Sequence, residues 1–150
     1  MKFLCRVGMA GLTFLALAVA AQADGHAFAG QWRQLTSTAG DCSKCYIGFV
    51  RHGDLLTVTS NTGWQAVVKI EGFADVELAV GKGRWMPTVS GVYGGRPFSI
   101  QFVRRGERLQ MHMVASQANG EPLPIRATFE KGPPNTDPRR QVVPIEMQRI

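Results

Sequence analysis

Cysteine, histidine and tyrosine are scarce in this 150-residue chain, which holds three, three and two of them. No histidine directly follows the segment Cys42-Ser43-Lys44-Cys45, which removes covalent haem attachment. No cluster of nearby ligands completes a zinc site either. A thioredoxin-like redox pair needs its first cysteine at a helix start within a βαβ unit, and that context is missing. No local pattern sets a serine or cysteine nucleophile beside an oriented base, so catalysis is not expected. Repeats of solenoid type and long helical periodicity are both absent. The arginines are scattered from Arg6 to Arg149 and are not interleaved with aromatics as in a nucleic-acid groove. A nucleic-acid partner is therefore not expected.

Long apolar runs are also lacking, except at the start. Lys2 and Arg6 precede an apolar stretch from Val7 to Ala21, which ends in the small-x-small pattern Ala21-Gln22-Ala23. Residues 1–23 read as a cleavable signal peptide; the stretch is glycine-bearing and short of the ~20 residues that a spanning helix needs. Cys5 lies before the apolar run, where a lipoprotein cysteine would not stand. The expected working molecule is exported, periplasmic or extracellular, with no transmembrane segment after processing. Cleavage would turn 17 basic residues into 15 against an unchanged 11 acids, a formal charge of +4. The remaining 127 residues suit one domain with its own core.

Period-two alternation then dominates the chain, punctuated by Gly, Asn, Asp and Pro. Strands are expected at 31–36, 45–51, 55–60, 64–70, 76–80, 98–103, 108–115 and 123–130. The Gly81–Gly95 stretch, containing Trp85 and Tyr93, stays unassigned. Such a meander buries one face by closing on itself or by folding into two sheets. The expected fold is all-β, an antiparallel up-and-down barrel or closely related sandwich of about eight strands. The domain would span 24–130, followed by a proline-rich tail over 131–150 in which Val142 to Ile145 docks as an edge segment.

At the head of the first strand, Gly30-Gln31-Trp32, preceded by Phe28, resembles the Gly-x-Trp opening of lipocalins and related calycin barrels. The resemblance covers about residues 28–130, although the Thr-Asp-Tyr-like turn of that family is absent. It implies that Trp32 plugs the barrel floor and that a basic residue of the last strand region packs over its ring. Arg126 is the residue expected in that role, through a cation–π contact.

In an exported protein Cys42 and Cys45 are expected to form a structural disulfide. Trp64 falls on an apolar face and reads as core. His112, between Met111 and Met113, suggests a copper-binding cluster only until strand geometry is applied, since neighbours point to opposite faces. His52 lies in a turn and reads as solvated. Cleavage after Ala23 would expose Asp24-Gly25-His26, whose amine, amides and imidazole suit a square-planar Cu(II) or Ni(II) ion. No other cofactor is expected.

These features lead to non-catalytic binding of a small apolar molecule. The expected lining is Phe98, Ile100, Phe102, Leu109, Met111 and Met113, with Ile125 and Phe129 beside them. Trp85 and Tyr93 are expected on a loop at the barrel mouth, as ligand contacts or as an end cap. The alternative is a secreted inhibitor or interaction protein that meets a protein partner through barrel-end loops or its N-terminus.

Overall fold

The structure, a computed structural model, describes residues 27–73 and 76–132. The alternating runs become eight strands: β1 (Gly30–Ser37), β2 (Tyr46–His52), β3 (Leu55–Ser60), β4 (Trp64–Phe73), β5 (Val76–Trp85), β6 (Pro97–Arg105), β7 (Arg108–Ser116) and β8 (Pro122–Lys131). Each pairs antiparallel with the next, and β8 returns to β1, so the sheet closes into a barrel in sequence order. Closure satisfies the backbone groups that an open sheet would leave at its edges. The architecture is compatible with a calycin-like fold.

Alternation sorts the side chains cleanly. In β7, Leu109, Met111, Met113 and Ala115 are buried while Gln110 and His112 are exposed. Trp64, Ala66 and Val68 of β4 turn inward in the same way. In β1 the phase changes once, where the register to β8 shifts between Gln34 and Thr36. This bulge brings Ser37 inward after Trp32 and Gln34, instead of Thr36.

The Gly81–Gly95 stretch corrects the sequence expectation. Its first part is not a loop: β5 runs on through Gly81 and Gly83 to Trp85, pairing with both β4 and β6. These glycines occupy inward positions where two neighbouring strands crowd the backbone. A Cβ on Gly81 would stand 2.0 Å from the Val67 carbonyl oxygen, and one on Gly83 would meet the Phe98 ring at 2.4 Å. Glycine here marks close strand approach rather than a turn. Lys131 likewise belongs to β8 and not to an irregular tail.

Two aromatic groups divide the interior. Toward the barrel end where β1 begins, the Phe49 ring lies 5.7 Å from Phe28 and 5.0 Å from Phe102. At the opposite end, Trp64 meets Trp85 and Phe98 edge-on, at 6.4 and 5.6 Å.

Candidate functional site

The floor is built around Trp32, which is fully buried. Its indole N–H donates to the Phe28 carbonyl oxygen at 2.8 Å, locking the segment before β1 across the barrel end. The cation over its ring is Lys131, whose Nζ lies 4.7 Å from the ring centre and also donates to the Ala29 carbonyl oxygen. Arg126, expected in that role, is exposed. The correction has a simple cause: Ile125, Ala127 and Phe129 face inward, so Arg126 must face out, while Lys131 keeps the inward parity. Burial pushes the Lys131 ammonium below its usual pKa; nearby Glu107 opposes that shift and Arg104 adds to it.

The other end is open. A cavity of about 280 Å³ lies there, walled by Trp64, Trp85, Tyr93, Met111, Met113 and Ile125. Ile47 and Phe129 reach it from deeper in the barrel, and Gln34, Ser37, Asp41, Tyr46, Ser60 and Thr62 form its polar rim. Of the expected lining, Met111 and Met113 are present, as are Ile125 and Phe129. Phe98, Ile100, Phe102 and Leu109 face inward and are buried, but they belong to the packed core and do not line this cavity. Trp85 is not a loop residue; it ends β5 and is only 8% exposed. Tyr93 does stand on the connection after it, stacked on the Trp85 ring at 4.8 Å.

Rim geometry follows from the disulfide. Cys42 and Cys45 are bonded, with Cα atoms 5.3 Å apart, and both sulfur residues border the cavity. The Gln34 backbone N–H donates to the Cys45 carbonyl at 2.9 Å, tying the bridged turn to β1. Asn61, in the β3–β4 hairpin, clips the turn from the other side. Its amide donates to the Lys44 carbonyl and its side-chain oxygen accepts from the Tyr46 N–H, both at 2.9 Å. Sequence reasoning overlooked this role of Asn61. The hairpin itself is held open by Gly63, whose φ of +95° disfavours other residues and whose missing side chain leaves room for Val89.

A wider groove of about 580 Å³ lies on the outer wall, across β6, β7, β8 and the end of β1. Its lining mixes apolar groups with polar ones, including Gln101, His112 and Arg126 in one cross-strand row. His52 is exposed in its turn. Among the described residues no three His, Cys, Asp or Glu side chains gather as a metal site. The Asp24-Gly25-His26 candidate, the signal segment 1–23 and the tail beyond Gly132 lie outside the described residues.

At the seam, Glu130 of β8 pairs with Arg33 of β1, and Arg108 of β7 approaches its other oxygen at 3.6 Å. The hydrogen bond from Arg33 holds the Glu130 carboxyl below its usual pKa. The chain matches no protein-family model, no curated protein and no solved structure.

Proposed function

We propose that this protein is an exported, lipocalin-like binding protein that holds a small apolar molecule at the open end of its barrel, without catalysis. The observation that carries this reading is the mouth cavity of about 280 Å³. Its walls are aromatic rings and methionines, and its polar groups are confined to the rim, the usual layout of a small-molecule site. Its volume equals roughly nine water molecules at liquid density, which limits the guest to a small molecule rather than a long lipid. Cavity-lining residues include one carboxylate, Asp41, and no histidine, so no nucleophile–base pair accompanies the guest. The N-terminal apolar segment and the bridged Cys42–Cys45 pair support export.

Titration of the processed protein with naphthalene tests the reading. Saturable one-to-one binding is expected, and Ser37→Trp at the rim or Met111→Phe deeper in should weaken it at least about tenfold by occupying the space. Absence of saturable binding, or binding indifferent to both substitutions, would overturn it. The alternative, an interaction protein acting through barrel-end loops, draws on Val92, which is 55% exposed on the 86–96 connection beside the mouth. On that reading Val92→Asp disrupts capture of a protein partner, and naphthalene shows no saturable binding to the unaltered protein or the variant.

A further inference from the structure

Trp32 at the floor and Trp85 at the open end treat their indole N–H groups differently. Trp32 donates to Phe28. The Trp85 N–H is buried and has no acceptor among the described residues, the one such side-chain atom there. A buried donor without a partner carries a full desolvation cost, so native proteins keep few of them.

The cause is visible in its surroundings. Tyr93 stacks on the Trp85 ring, and Trp64 and Phe98 meet it edge-on at 6.4 and 6.2 Å. Those walls are carbon. Three rim hydroxyls are already engaged locally: Ser60 and Thr62 share a hydrogen bond at 2.8 Å, and the Ser37 hydroxyl accepts from the Ala39 N–H at 3.1 Å. Trp85 itself borders the mouth cavity, and its N–H is the one buried side-chain polar atom among the described residues that lacks a partner, a donor for which a guest can supply the acceptor.

Resting on the binding reading above, we infer that the guest is a neutral, planar ring compound bearing a hydrogen-bond acceptor, which receives the Trp85 indole N–H. Planarity follows from the aromatic walls, which favour flat stacking or edge contacts. Neutrality follows from two features of the lining: it has no Lys or Arg to meet an anion, and the carbon walls around Trp85 offer a cation no counter-charge, the one carboxylate, Asp41, standing at the rim. The cover that yields to the guest is Tyr93. Trp64 and Phe98 are held in strand ladders, whereas Tyr93 stands on the 86–96 connection, which contains Gly91, Gly94 and Gly95.

A matched pair of probes tests this. Chromone carries a ring carbonyl; naphthalene has nearly the same outline and no acceptor. Chromone is expected to bind roughly ten- to a hundredfold more tightly. It should also shift the Trp85 indole N–H proton resonance downfield, as hydrogen bonding does, whereas naphthalene should not. Trp85→Phe, which keeps a ring and deletes the donor, should erase the chromone preference. Should that variant fail to fold, the resonance shift in the unaltered protein decides alone. Equal binding of both probes, or a chromone preference without a Trp85 shift, would overturn this inference and leave the binding reading standing. Binding of neither would overturn both.

Discussion

The Lys131 ammonium lies 4.7 Å from the centre of the Trp32 ring and at the same time reaches the Ala29 carbonyl. One side chain from the end of β8 thus fastens both the floor tryptophan and the chain segment that enters β1. Lys131→Ala is expected to lower stability by about 1–2 kcal/mol, combining a partly desolvated cation–π contact with a hydrogen bond. Arg126→Ala, on the outer wall, should stay within about 0.5 kcal/mol. Chemical denaturation of the two variants side by side checks the assignment; an equal or larger loss for Arg126 would refute it.

Glu130 joins three strands, since it pairs in register with Arg33 of β1 and with Arg108 of β7. Its folded pKa is depressed, chiefly by the Arg33 hydrogen bond. The unfolded chain therefore takes up this proton first as pH falls, and stability from the group is present above its ordinary value of 4.5 and lost as pH falls through the folded value. Thermal midpoints followed downward from neutral pH should show this loss, and Glu130→Gln should flatten it. Because the pair is solvent-exposed, about 1 M salt should shrink the effect.

The rim offers a contrast between two kinds of fastening. The bridge closes a short loop, so replacing both Cys42 and Cys45 by serine should cost about 2 kcal/mol or less. Asn61→Ala removes two hydrogen bonds to the same turn and should cost about 1 kcal/mol or more. Hydrogen exchange is the discriminating measurement: both variants should quicken exchange at Cys45 and Tyr46 while leaving β6 and β7 protected. Uniform acceleration across the barrel would contradict a local role.

Gly81 supplies a fourth prediction. A Cβ there would overlap the Val67 carbonyl and the Val68 Cα, backbone atoms that cannot rotate away. Gly81→Ala should destabilise by about 1–3 kcal/mol through overpacking alone. Equilibrium unfolding measures it, and a neutral outcome would place β4 and β5 further apart than described.

These cases also show which parts of the molecule were legible beforehand. Strand alternation was readable because one face of each strand is buried, and it correctly sent Met111 and Met113 inward and His112 outward. The same parity rule, applied to β8, would have rejected Arg126 and pointed to Lys131, five residues further on. Glycine misled the reading at 81 and 83, where it serves close backbone approach in a strand, because composition alone does not separate that use from a turn. The mouth cavity was only half legible. Met111 and Met113 could be placed by alternation, but Ser37 faces in because of a bulge in β1, and the Asn61 clip spans residues 15 and 17 positions apart. The unpartnered Trp85 N–H has no signature in sequence at all, since it depends on what three other rings leave uncovered.

Binding at the open end is most directly tested by mapping the naphthalene site with methionine methyl and tryptophan indole resonances in one titration. Saturable shifts are expected of the Met111 and Met113 methyls and of the Trp64 and Trp85 indole ring C–H resonances, with Trp32 at the floor unmoved. Shifts confined to the outer wall around His112, or no saturable shift at any of these groups, would contradict it.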